Sequence, residues 1–268
     1  MTNGLLDDGE RWLHGRHAVV TGGGRGIGLA IAAVLARHGA DLTIMGRTPS
    51  TLDESADELR RAHGVRVTAV PCDVTDTESV RAAFACATGE LGDVHVLVNN
   101  AGGAASALFG DTTRETWDHM LALNLTGSWL CTQQVMPAMP RARWGRVVNI
   151  ASTAGLRGYK ATTAYCAAKH GVVGLTRALA LETARHGVTI NAVCPGYTET
   201  DMHEQAVANL VAALGRTEEE ARAMLLRTIP RGSLTAPSEV ASAVAWLSSP
   251  GAAAVTGIAL PVAGGEVW

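Results

Sequence analysis

Thr21-Gly22-Gly23-Gly24-Arg25-Gly26-Ile27-Gly28 is the stretch whose reading decides the fold. A short apolar run, His17–Thr21, leads into it, and an amphipathic stretch, Ile27–His38, follows at once. Glycines let the backbone turn sharply and come close to a ligand, and the free N–H groups and dipole at a helix start favour an anion. Strand, glycine loop and helix in that order predict a phosphate-binding β-α unit. The glycines fall as T-G-x-x-x-G-x-G, a different spacing from the G-x-G-x-x-G of the usual dinucleotide fingerprint.

Working outward, apolar runs rich in Val, Ile and Leu recur at Leu42–Met45, Val65–Val70, Val94–Val98, Arg146–Ile150, Val188–Val193 and Ile258–Val262. They are short and continuous rather than alternating, the pattern of strands covered on both faces. Helical stretches separate them near Ser50–His63, Thr77–Gly89, Thr113–Met139, Thr163–His186 and Ser238–Leu247. This alternation predicts an α/β chain with a doubly wound parallel sheet of seven strands. Gly39, Gly64, Gly89 and Gly187 stand just past helical stretches, where a C-cap needs positive φ. One segment, about 199–231, lies outside the alternation and has an acidic middle at Glu218-Glu219-Glu220. Ligands bind beyond the carboxyl ends of such strands, so the insertion reads as a small lid, with a surface or subunit-contact hairpin as the alternative.

A length of 268 residues without a compositional break predicts one domain. Charged residues make up 18%, against about 25% in an average globular chain, so a large core and buried subunit contacts are expected. The net charge of −3 and the absence of Lys/Arg runs exclude a nucleic-acid or anionic-membrane partner and favour a small molecule. Five scattered cysteines without a C-x-x-C pair predict reduced, buried thiols in a cytoplasmic protein, and the nine histidines show no metal-ligand spacing. Residues 1–14 carry Asp7, Asp8 and Glu10 and lack an apolar core, so they read as a loose N-terminal extension rather than a signal peptide, with the domain over 15–268. The uncharged stretch between Glu239 and Glu266 is broken by Ser248-Ser249-Pro250-Gly251, which fits a helix, a turn and a strand rather than a membrane span.

Chemistry points to Tyr165 and Lys169, spaced i and i+4 at the head of a helical pattern and so on one face, with Ser152 upstream beside a strand. The chain has only two lysines, Lys160 and Lys169, against twenty arginines, so Lys169 stands where arginine would not serve. At the end of the second strand, where an NAD-selecting site carries an acid for the ribose, Arg47 stands instead. With Arg25 in the glycine loop it offers charge-assisted hydrogen bonds to a 2′-phosphate, so NADP(H) is preferred over NAD(H). Asp41 opens that strand and lies too early to be the ribose acid.

Together these residues resemble the short-chain dehydrogenase/reductase superfamily, classical type, over about Arg16 to Gly265. The motifs are the glycine loop, Asp73-Val74 after the third strand, Asn99-Asn100-Ala101-Gly102 after the fourth, Asn124, Ser152, Tyr165-x-x-x-Lys169, and Pro195-Gly196 with Thr200. The resemblance implies a single-domain Rossmann-type fold. It also implies a cofactor held by Gly22, Arg25, Gly26, Ile27, Gly28 and Arg47, with Asp73 and Val74 at the adenine. Asn100, Ala101, Gly102 and Lys169 would lie along the nicotinamide ribose with Tyr165 beside them, and Pro195, Gly196, Thr198 and Thr200 at the carboxamide. Asn124, Ser152, Tyr165 and Lys169 occupy the four catalytic positions.

A ketone accepting hydride develops alkoxide charge, which needs a hydrogen bond and a proton. Tyr165 would give the proton, Ser152 would fix the oxygen, and Asn124 would hold a relay water. A nearby cation typically lowers a phenol pKa by ~1–3 units, so Lys169 is expected to draw Tyr165 downward. The strand around Ser152 and the run Lys169–Gly174 look most like reductases of 3-oxoacyl thioesters and aromatic polyketides. The predicted reaction is NADPH-dependent reduction to a secondary alcohol. The alternatives are a 3-hydroxyacyl-CoA or other secondary-alcohol dehydrogenase, and a non-catalytic nucleotide sensor. Thr153, Leu156, Tyr159, Lys160 and Tyr197 would wall the substrate pocket. Of the two docking arginines of carrier-protein-dependent reductases, one aligns with Arg143 and the other with His186, leaving half a docking site and keeping coenzyme A thioesters and free ketones open. Relatives usually form homotetramers through the two long helices, Thr113–Met139 and Thr163–His186.

Overall fold

The computed structural model describes residues 11–268. Along the chain it runs β1 (His17–Thr21), α1 (Gly26–Arg37), β2 (Asp41–Gly46), α2 (Pro49–His63), β3 (Val67–Pro71), α3 (Thr77–Leu91), β4 (Val94–Asn99), α4 (Arg114–Leu121), α5 (Gly127–Val135) and α6 (Met139–Ala142). It continues with β5 (Gly145–Ile150), α7 (Thr163–Thr183), β6 (Val188–Pro195), α8 (Asp201–Leu214), α9 (Glu218–Leu226), α10 (Pro237–Ser248) and β7 (Ala259–Val262). The strands form one sheet in the order β3-β2-β1-β4-β5-β6-β7, and every neighbouring pair is parallel. Strand order reverses between β1 and β4, so the carboxyl ends of those two strands flank the crevice where this architecture binds ligands.

The continuous apolar runs are explained by burial on both faces. Val20, Ile44, Val98 and Val148 face a core shared with Ile31 and Leu35 of α1, Leu52 of α2 and Val244 of α10. Their neighbours Val19, Met45, Leu97 and Val147 face a second core with Phe84 of α3, Leu130 of α5 and Ala180 of α7. Period-2 side-chain alternation therefore persists, but both sides of the sheet are apolar.

Several sequence expectations need correction. Gly39, Gly64 and Gly187 do adopt positive φ, whereas Gly89 lies inside α3, and the helix ends at Gly92 with φ 79°. The expected helix Thr113–Met139 is not continuous: a wide π turn occupies Ala122–Thr126, and the helix stops at Val135 before the short α6. Residues 1–10 of the expected extension lie outside the described residues. Of the rest, Leu13 is fully buried and donates its N–H to the His38 carbonyl at 2.9 Å, while Trp12 stacks on the His38 ring. Not every thiol is buried, because Cys86 is exposed and Cys166 half-buried, though all five are free. The stretch between Glu239 and Glu266 is helix, turn and strand, and among the described residues no helix is long and apolar enough to cross a membrane.

Candidate active site

The glycine loop is clamped to the switch point by two side chains. Thr21 Oγ1 accepts from the Asn100 and Ala101 N–H groups at 3.0 Å each. Asn100 Nδ2 returns two hydrogen bonds, to the Thr21 carbonyl at 2.9 Å and to that of Gly22 at 3.1 Å. A Cβ at Gly28 would stand 2.1 Å from Gly22 O, so only glycine allows α1 to come this close. Helix α1 has neither a capping side chain nor an acid in its first turn, which leaves its leading amides free for an anion. This cradle fits a dinucleotide pyrophosphate.

At the adenine end Val74 is buried and packs on Gly127, where a Cβ would meet the Val74 side chain at 2.9 Å. Asp73 Oδ1 accepts from the Thr75 hydroxyl at 2.7 Å and its N–H at 2.9 Å, and these bonds hold the carboxyl below its ordinary pKa. Arg47 is exposed near Asp73. Arg25 is exposed as well and pairs with Asp201 at the start of α8, 3.1 Å away, while Thr200 packs against Gly26. Thr198 is buried, and its carbonyl accepts from Thr200 Oγ1 at 3.2 Å.

The four expected catalytic positions meet at the carboxyl ends of β4 and β5. Ser152 follows β5 and caps a short turn over Thr153–Gly155, its Oγ accepting from the Ala154 N–H at 3.1 Å. Tyr165 lies in the first turn of α7, its ring 5.7 Å from Lys169 Nζ. Lys169, one turn on, is buried and donates from Nζ to the Ile150 carbonyl at 2.9 Å. Asn124 sits in the π turn, with Nδ2 donating to the Gly103 carbonyl at 2.9 Å and Oδ1 accepting from the Gly103 N–H at 3.2 Å. A Cβ on Gly102 would lie 2.8 Å from Asn124 Oδ1 and 3.5 Å from Lys169 Nζ, so the three converge on one point.

Electrostatically the site departs from expectation. Burial pushes the Tyr165 phenol up to about 12, with the Ser152 hydrogen bond opposing, and pushes the Lys169 ammonium down to about 8. The expected depression of Tyr165 by Lys169 is absent. Lys169 Nζ is 5.7 Å from the phenol ring centroid, and with Lys169 buried and Tyr165 half-buried, desolvation outweighs attraction. The Asn124 side chain donates to the Gly103 and Met120 carbonyls and accepts from the Gly103 N–H.

Among the expected wall residues, Thr153 is buried, Leu156 and Tyr197 are half-buried, and Tyr159 turns inward to bond Thr153. Lys160 is exposed. Two roles escaped the sequence reading. Under the site, Asn99 Nδ2 donates to Thr132 Oγ1 at 2.9 Å and to Asn149 Oδ1 at 2.8 Å, and Asn149 Nδ2 donates to Thr176 Oγ1 at 2.9 Å. This chain ties α5, β4, β5 and α7 together, and the available signal was an asparagine in each of two apolar strands. The other is the pair Arg157 and Glu266, joined at 2.8 Å. Glu266 is the first charge after the long uncharged stretch.

The profile of the family described as short chain dehydrogenase matches residues 16–210. A protein of Streptomyces violaceoruber, named as a ketoacyl reductase of the granaticin polyketide synthase, is 42% identical over 250 residues, covering 92% of each chain. The 3-oxoacyl-(acyl-carrier-protein) reductase FabG of Vibrio cholerae is 38% identical over 253 residues, 94% of this chain and 98% of that protein. Among solved structures, a single-substitution variant of the actinorhodin polyketide ketoreductase with NADPH superposes with a TM-score of 0.90 at 40% identity, covering 98% of this chain and 99% of its own. A family profile spanning more than half the chain, and relatives matched almost end to end around one shared fold, make this chain a member of the short chain dehydrogenase family.

Proposed function

We propose that the protein is an NADPH-dependent ketoreductase that transfers hydride to the carbonyl of a 3-oxoacyl thioester or polyketide-like ketone, giving a secondary alcohol. The observation that carries this reading is the convergence of Lys169 and Asn124 on the Gly102-Gly103 turn, with Tyr165 beside Lys169 on α7 and a glycine cradle fitted to a pyrophosphate. Relatives named for ketoacyl reduction, and a neighbour solved with NADPH, support the substrate class and the cofactor.

Gly22, Gly26, Ile27 and Gly28 would hold the pyrophosphate, Arg25 and Arg47 the 2′-phosphate, and Asp73 and Val74 the adenine. Asn100, Ala101, Gly102 and Lys169 would lie along the nicotinamide ribose, with Pro195, Gly196, Thr198 and Thr200 at the nicotinamide. When bound, NADPH supplies the hydride. The protein's own groups do the rest. The Ser152 and Tyr165 hydroxyls would together hold the substrate oxygen. Tyr165 stays protonated at neutral pH and so is an acid ready to donate, the state that reduction requires. The oxidative alternative would first have to remove that proton. Asn124 acts by fixing the Gly102-Gly103 turn.

Helices α8 and α9 form the lid, and the Arg25–Asp201 pair ties its first turn to the glycine loop. Arg143 and His186 remain half of a carrier docking pair, so coenzyme A thioesters and free ketones stay within range. The same reading makes the protein a cytoplasmic homotetramer, in keeping with its free cysteines. The test is NADPH and NADH oxidation with acetoacetyl-CoA, a cyclic 1,3-diketone and an aryl ketone. Turnover of the thioester with NADPH is expected. Turnover of the bulky ketones alone would move the substrate away from acyl chains, and no turnover in either direction would favour a nucleotide sensor.

A further inference from the structure

The chain's last charged residue returns to the substrate side of the site. The Glu266 side chain has no solvent exposure, and its Oε1 accepts from Arg157 Nη2 at 2.8 Å and from the Tyr159 hydroxyl at 2.7 Å. That hydroxyl is also 2.7 Å from Oγ1 of Thr153, the residue next to Ser152. Arg157 packs its guanidinium over the Tyr159 ring, 4.6 Å from the centroid. The other oxygen, Oε2, faces Gly196, where an added Cβ would come within 3.0 Å of it.

A carboxylate taken wholly out of water carries a large desolvation cost, and a single half-exposed arginine repays it poorly. An apolar side chain would close the same space more cheaply, so stability does not explain the charge. Geometry does. One carboxylate grips Arg157 and Tyr159, which lie on the loop between Ser152 and Tyr165, and abuts the Pro195-Gly196 turn across the site. We infer that Glu266 is a positioning residue for ketone reduction, holding the Thr153–Tyr159 wall, and with it Ser152, in register with the Gly196 turn. This inference rests on the catalytic reading of Ser152 and Tyr165 above. Glu266 touches neither substrate nor cofactor in this scheme; it acts through Tyr159 and Arg157.

The test compares Glu266→Ala, Glu266→Gln and Tyr159→Phe with the wild type, using the ketone it turns over best. For Glu266→Ala, kcat/KM for the ketone should fall about 30-fold, of the size that small misplacements of reacting groups produce. NADPH affinity, read by fluorescence titration without ketone, should change less than about threefold. Glu266→Gln keeps the acceptor for the Tyr159 hydroxyl and should recover most of the loss. Tyr159→Phe, which cuts the link to Thr153, should lower kcat/KM in the same direction without altering the charge. If Glu266→Ala does not fold, the other two variants carry the comparison. Unchanged kcat/KM in the folded variants, or a loss that merely tracks NADPH affinity, overturns the inference while the wild type still reduces ketones. A wild type that reduces no ketone overturns the functional reading and the inference with it.

Discussion

Burial moves the two titratable groups of the site in opposite directions, and each shift has a consequence. In the proposed reduction Tyr165 would be the proton donor, so Tyr165→Phe should leave NADPH binding intact while cutting turnover by about 10²–10⁴-fold, the usual worth of a general acid. Steady-state kinetics beside a cofactor titration check this, and retained turnover would sink the mechanism. Lys169 carries the opposite linkage. Its folded pKa of about 8 lies below its ordinary 10.5, so the folded state bears the cost of a buried ammonium below pH 8 and is relieved as pH rises from 8 towards 10.5. That cost is about 3 kcal/mol at most, so Lys169→Met should be more stable than wild type at pH 7, by a margin that shrinks towards pH 10. Urea unfolding at the two pH values decides it; a margin that grows with pH would be the wrong sign. At the cofactor end, Arg47 is exposed and close to Asp73. Arg47→Asp should reduce the preference for NADPH over NADH by about tenfold or more, since it exchanges an attraction for a repulsion. Unchanged selectivity would mean that the 2′-phosphate is held elsewhere. The spacing of Tyr165 and Lys169 was legible in the sequence because helical geometry is local. Their protonation was not, because it depends on desolvation by elements far apart in the chain.

Between elements, the site depends on close approach. Helix α1 reaches the glycine loop only because Gly28 has no side chain, and Asn100 at the end of β4 then clamps the loop from the other side. Gly28→Ala should cost about 1–3 kcal/mol through overpacking and should weaken NADPH binding as the cradle opens. Denaturation and a cofactor titration on one preparation would show both effects, and an unchanged affinity would disprove the cradle. The π turn at Ala122–Thr126 shows what local patterning misses. The apolar pattern of Thr113–Met139 reads as one helix, yet it widens at Ala122–Thr126, where Asn124 bonds the Gly103 backbone. No residue type announces such a turn. The end of α3 is a similar case: Gly89 and Gly92 both suit a C-cap, and only the longer helix, through to Leu91, selects the second.

For the whole molecule, the pairing of strands follows from alternation, and the outer surface bears two exposed apolar side chains where the proposed tetramer would make contact. Trp129 on α5 and Leu181 on α7 are exposed apolar side chains on the two helices expected at subunit contacts. Light scattering should therefore find a species of about four times the 27.8 kDa chain, and a stable monomer would overturn the homotetramer. The sequence by itself determined the parallel doubly wound sheet, the glycine loop and the placing of Tyr165 and Lys169 on one helix face. Those features rest on period, turn chemistry and i, i+4 spacing, which act over a few residues. Only the tertiary structure decided that Asn124 is anchored on Gly103, that Tyr165 is pushed up rather than down, and that Glu266 closes on Arg157 and Tyr159. Each of these depends on residues from separate elements meeting in a space that excludes water, and a linear chain does not display that exclusion.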